Sequence, residues 1–170
     1  MRFIVGLGLI AALAVPAIAK EFVAQPTDFH CLTDGAQPEG KRFRIFGKKR
    51  VVKKALRKTN TGKLGKGYPV GTILQLFPFE AMAKRGGKFN KAGHGWEYFT
   101  LKPNADGTTE ITKRGAAEVT GLTRSSCQEC HERLASDHDA VCEFTKGPEG
   151  LGLTEELIHA LQTDARCAPQ

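Results

Sequence analysis

No stretch of this sequence offers the roughly 20 consecutive apolar residues that a membrane-spanning helix needs. The longest apolar run, Phe3 to Val15, covers about 13 residues and falls short of that span. Arg2 precedes it, and Pro16-Ala17-Ile18-Ala19 follows, with small residues at the -3 and -1 positions of a cut after Ala19. That pattern reads as a secretory signal peptide over residues 1–19, with an uncleaved anchor as the alternative. The mature chain is then expected to be soluble and periplasmic or secreted, with no membrane anchor after processing.

Acidic residues are missing between Lys41 and Lys66, where twelve lysines and arginines stand and account for much of the formal charge of +7. Export makes nucleic acid a poor partner for this stretch. The remaining readings are a solvated basic face or a docking surface for an acidic redox partner, whose encounter opposite charge would speed. Methionine is also scarce, since Met82 is the only one beyond Met1. Upstream of residue 126 no apolar pattern holds a 3.6-residue period, which argues against a helical bundle.

What replaces helical periodicity is a series of short strand signals. Phe22, Phe29 and Leu32 are candidate anchors in a polar opening segment. Lys41 to Arg57 predicts an edge strand plus a short helix, and Thr59 to Gly67 a glycine- and lysine-rich loop. Tyr68-Pro69-Val70-Gly71 turns into a strand over residues 72–77, with Glu80 to Lys84 as its partner. Trp96 to Leu101 and Thr108 to Lys113 flank the hairpin turn Asn104-Ala105-Asp106-Gly107. Gly115 to Thr120 is a candidate fourth strand of this meander, and Asp137 to Phe144 a final one. A helix capped by Ser125 or Ser126 should follow residue 126. Thr154 to Leu157 opens another, with Leu157, Ile158 and Leu161 facing the core. The expected fold class is mainly β (α+β), a small antiparallel sheet domain with short helices.

Five cysteines are present: Cys31, Cys127, Cys130, Cys142 and Cys167. Cys127-Gln128-Glu129-Cys130-His131 is a C-x-x-C-H run. Its two thiols are spaced to add to the two vinyl groups of one haem, and the adjacent imidazole can bind the iron. A thioredoxin-like redox motif would want a parallel βαβ setting, and a zinc site would want a second C-x-x-C or paired histidines. Neither setting is visible. One covalent haem c, with His131 on the iron, is the expected cofactor, carried on a C-terminal segment. Among the remaining thiols, Cys142 with Cys167 is the first choice for a disulfide, and Cys31 with either of them is the alternative.

Class I cytochromes c carry the motif near the N-terminus with a methionine ligand downstream, and this chain has neither feature. Tyr68-Pro69-Val70-Gly71-Thr72, Glu80 to Arg85, Phe89-Asn90, Trp96 to Phe99, Cys127 to His131 and Asp139 to Cys142 together resemble the cytochrome P-460 family, which includes the cytochrome c′-β proteins. The resemblance spans residues 68–145. It implies a haem domain over residues 68–170, behind a basic N-terminal region of residues 20–67. It also implies a five-coordinate iron with an open distal face, which binds nitric oxide or oxidises hydroxylamine, in a protein that can form a homodimer.

In enzymatic members a lysine is crosslinked to the porphyrin. Lys84 is the candidate for it here; if that lysine belongs to strand 72–77, Gln75 and Leu76 stand there and the crosslink is absent. Phe77, Phe79, Phe89 and Trp96 are candidates for an apolar wall around the haem, and Glu80 or Glu97 for a general base. The alternative function is a six-coordinate electron-transfer cytochrome with His94, Lys84 or Met82 as second ligand. A structural haem module is a third reading.

Overall fold

The computed structural model describes residues 21–86, 88–121, 125–144 and 153–167. The expected signal peptide and its cleavage site lie outside these residues. Among the described residues no helix is long and apolar enough to cross a membrane.

Five antiparallel strands run in sequence order across one sheet: β1 (Arg44–Phe46), β2 (Ile73–Gln75), β3 (Glu80–Lys84), β4 (Trp96–Pro103) and β5 (Thr109–Gly115). Side chains alternate between the faces of a strand, so the register decides what each face carries. Ile45 lies opposite Leu74, Leu74 opposite Met82, and Met82 opposite Tyr98, which makes one apolar row across four strands. Lys84 and Trp96 are paired on the same face. The other face carries Phe46, Ile73, Ala83, Ala81 and Phe99, and the N-terminal segment covers it with Ala24, Phe29 and Leu32. Phe29 and Leu32 are therefore anchors, as the sequence predicts, while Phe22 is only half-buried against them.

Helix α1 (Lys49–Thr61) crosses the first face. Val52, Ala55 and Leu56 pack into the cluster around the Ile45–Tyr98 row, while Lys49, Arg50, Lys53, Lys54 and Arg57 stay exposed. The stripe is short and interrupted by lysine, which is why no sustained helical period shows in the sequence. Gly62 ends α1 in the left-handed conformation, and its N–H donates to the Thr59 carbonyl. The basic stretch therefore forms one sheet strand and one helix of the same unit as residues 68–167.

Helix α2 (Cys127–Ala135) carries the C-x-x-C-H run, and α3 (Glu155–Leu161) lies near the C-terminus. Ser126 caps α2 by accepting from the Glu129 N–H, and Thr154 caps α3 by accepting from the Leu157 N–H. In α3 only Ile158 is buried, Leu161 is half-buried and Leu157 is exposed, against the expectation that all three face the core.

Three further sequence expectations need correction. Gly115 to Thr120 forms no strand beyond the end of β5, only an isolated bridge from Thr120 to Ser126. Asp137 to Phe144 forms no strand: Ser136–His138 and Cys142–Phe144 are 3-10 turns, and between them Asp139 and Ala140 take left-handed backbone angles that no strand accommodates. The disulfide joins Cys31 to Cys167, the alternative pairing and not the first choice of Cys142 with Cys167, since the C-terminal segment returns to the N-terminal one and not to the segment after α2.

Candidate functional site

Helix α2 faces the apolar row of the sheet across a cleft. Leu74, Leu76, Phe77, Met82 and Tyr98 form its sheet side, and Cys127, Cys130, His131, Val141 and Cys142 the other, with Glu80 and Glu143 also in the lining. The three residues of the C-x-x-C-H run thus reach one predominantly apolar cleft. The His131 ring sits 5.3 Å from the Tyr98 ring, centroid to centroid. The Tyr98 hydroxyl is buried and has no hydrogen-bond partner among the described residues. Such an orphaned hydroxyl is unusual in a finished core.

The geometry around His131 fixes its tautomer. Nδ1 lies 2.7 Å from the Ala140 carbonyl oxygen. A carbonyl only accepts, so Nδ1 carries the proton and donates it. Burial lowers the imidazole pKa, outweighing the support from that hydrogen bond. The ring is accordingly neutral, and Nε2 presents a bare lone pair, the form in which a histidine binds a metal.

The thiols are in a different electrostatic condition from those of a redox dithiol. Burial, aided by the nearby Glu80 carboxylate, pushes Cys127 up to about 11, and burial pushes Cys142 up to about 12. Redox-active C-x-x-C motifs instead hold a depressed pKa. At pH 8, a rise of about two units cuts the thiolate fraction about a hundredfold, and greater nucleophilicity recovers nearly tenfold of it. Iodoacetamide should therefore alkylate Cys127 of cofactor-free protein roughly tenfold more slowly than a model peptide thiol. Peptide mapping across pH 7–11 measures this, with the rate climbing toward the top of the range.

A second, more polar cavity is lined by Lys63, Lys66, Tyr68, Lys84, His94, Asp137, His138 and Asp139. Its centre is the Asp139 carboxylate, which accepts from Lys84 Nζ at 2.5 Å and from the Tyr68 N–H at 2.7 Å. The Lys84 and Asp139 side chains are only 8% and 6% exposed. Lys84 Nζ also lies over the Trp96 ring, 4.8 Å from its centroid, and Trp96 Nε1 donates to the Asp139 carbonyl at 2.7 Å. Gly67 must be glycine here, since a Cβ would stand 2.6 Å from the Asp139 carboxylate and its φ is +79°.

The sequence-predicted site residues thus divide. Cys127, Cys130, His131 and Phe77 line the apolar cleft. Phe79 stacks on Phe77 with centroids 5.5 Å apart, while Phe89 lies beneath the Arg85 guanidinium. Trp96 and Lys84 belong to the Asp139 cluster. Of the two candidate bases, Glu80 lines the cleft, but Glu97 lies on the opposite sheet face, held by Arg114 and Arg85. Among the proposed second ligands only Met82 lines the cleft; His94 turns to Glu132 and Asp139. Sequence reading missed Asp139 and Tyr98; Asp139 was visible only as part of the Asp139 to Cys142 run. Cys31, Asp164 and Cys167 also converge, but the two sulfurs are already bonded to each other.

No protein-family model, curated protein or solved structure matches this chain.

Proposed function

We propose that this protein is an exported monohaem c-type protein. Cys127 and Cys130 would hold the porphyrin through thioethers, His131 would hold its iron, and the iron would take a small nitrogen ligand such as nitric oxide or hydroxylamine. The observation that carries this reading is the neutral His131 with its Nδ1 proton committed to the Ala140 carbonyl, on the helix whose two cysteines share its apolar cleft. The donor set suits haem, and the cleft offers Leu74, Leu76, Phe77 and Val141 as apolar surface with one unpartnered hydroxyl, Tyr98.

Haem, when bound, supplies an iron that takes a small ligand and exchanges an electron. The chain's own residues do the rest. The Ala140 carbonyl orients the imidazole, the apolar lining excludes water, and Glu80 places a carboxylate at the cleft where a proton could be accepted. Lys84 has no crosslinking role in this reading, because its ammonium is engaged by Asp139 in the other cavity. The exposed cations of α1 suit an acidic electron-transfer partner. A six-coordinate electron carrier is the second reading, favoured only by the presence of Met82 in the cleft lining.

The test is expression of the full chain in a host that matures c-type haem. Intact mass under denaturing conditions should show one covalent haem in the wild type and none in Cys127→Ala/Cys130→Ala. His131→Ala should lose at least nine-tenths of the loaded product. Ferrous spectra should shift on adding nitric oxide; a low-spin iron indifferent to it would support the six-coordinate reading. Purified wild type without porphyrin mass would overturn the haem assignment.

A further inference from the structure

Asp139 (φ +54°) and Ala140 (φ +60°) are consecutive left-handed residues, and neither is glycine. Each such residue is strained and persists only where its surroundings over-determine it. Here the surroundings converge on Asp139. Its carboxylate holds the Lys84 ammonium and the Tyr68 N–H, and its carbonyl holds Trp96 Nε1. Lys84 and Trp96 are register partners on β3 and β4, so the anchor is the sheet itself. One residue later, the Ala140 N–H donates to the Ala135 carbonyl at the end of α2, and the Ala140 carbonyl accepts the His131 Nδ1 proton. A continuous chain of bonds runs from the sheet through Asp139 to the imidazole.

We propose that the buried Lys84–Asp139 pair is a positioning device for His131: it holds the 139–140 turn left-handed, and so fixes the carbonyl that sets the orientation and donor strength of Nε2. The proposal rests on the reading of His131 as the iron's ligand. Lys84 and Asp139 are positioning residues, not catalytic ones, since they act through the Ala140 carbonyl. A neutral Nδ1–H donor becomes a stronger ligand as its hydrogen bond tightens. Loosening the turn weakens the ligand whichever member of the pair is removed.

That symmetry separates positioning from a plain field effect. As bare charges, Lys84 and Asp139 would shift the iron's reduction potential in opposite directions when removed. As parts of a clamp they shift it in the same direction. The experiment compares haem-loaded wild type, Lys84→Met and Asp139→Asn by resonance Raman spectroscopy and potentiometry. Both variants should move the iron–histidine stretch to lower wavenumber and raise the potential, because a weaker imidazole donor favours ferrous iron. Opposite potential shifts with an unmoved stretch would overturn the proposal.

Nitrogen-15 spectra of cofactor-free protein give an independent readout. Wild-type His131 should hold the Nδ1–H tautomer, and both variants should lose that preference; an unchanged tautomer in Lys84→Met overturns the clamp. This arm stands even if wild type proves to carry no porphyrin, which would sink the haem reading alone. If Asp139→Asn does not fold, Lys84→Met carries the test, since methionine keeps the length and apolar stem of the lysine and removes only its ammonium.

Discussion

Asp164→Ala should destabilise the protein by about 3–5 kcal/mol, because it strands a fully buried cation. The Arg166 guanidinium is 0% exposed and the Asp164 carboxylate 1%. Arg166 Nη2 donates to Asp164 Oδ2 at 2.7 Å and Nε to Oδ1 at 2.9 Å. The same carboxylate accepts the Leu32 N–H at 2.7 Å. Arg166 continues to Thr109 Oγ1 on β5, which in turn donates to the Phe29 carbonyl. Truncating Asp164 therefore takes the carboxylate from the guanidinium and from the backbone N–H groups of Leu32 and Arg166. Urea unfolding at pH 7 measures the loss, and Asp164→Ala/Arg166→Met should recover part of it, since the uncompensated charge goes too.

Acid should expose the same interaction. Burial alone would raise the Asp164 pKa, but the hydrogen bonds from Arg166 and Leu32 outweigh it and hold the carboxyl below its usual range. A depressed folded-state pKa gives stability that is fully present above the unfolded value and is lost as pH falls through the folded one. Between about pH 4 and pH 2, wild-type stability should fall more steeply than that of Asp164→Asn. Parallel curves would show that this carboxylate does not carry the acid response.

The second large effect belongs to the Cys31–Cys167 bridge beside this pair. It spans a sequence separation of 136 residues. Cross-links over so long a loop restrict the unfolded chain strongly, and Cys31→Ser/Cys167→Ser should cost about 2–5 kcal/mol, toward the upper end for this length. Thermal unfolding with and without reductant measures it. The bridge, Asp164 and Arg166 all fasten the segment around Leu32 to the C-terminal segment, so combining the cysteine and Asp164 changes should depart from additivity. Simple addition would show that the two fastenings act independently.

The meander was legible because each strand announces itself locally. Thr72 to Phe77 and Trp96 to Leu101 are β-branched or aromatic and end in proline or turn residues, and the pairing of neighbours then follows. Cys127, Cys130 and His131 were legible because their chemistry depends on spacing within one helical turn and a half. The partner of Cys31 was not, since sequence separation says nothing about which distant segment returns. Nor was the Lys84–Asp139 pair, whose members are 55 residues apart and each of which alone looks like an ordinary surface charge. Phe77 and Phe89 are alike as sequence; only register and turn geometry send one to the cleft and the other beneath Arg85.

The bridge also constrains the order in which the molecule can be finished. Cys31 leaves the synthetic machinery long before Cys167, and Cys127, Cys130 and Cys142 all emerge in between. If the emerging chain meets a thiol-oxidising environment, an early cysteine faces three wrong partners before the right one exists. Capture of Cys127 and Cys130 by a prosthetic group would remove two of them, and once the fold closes, burial keeps the Cys142 thiol protonated and slow to exchange.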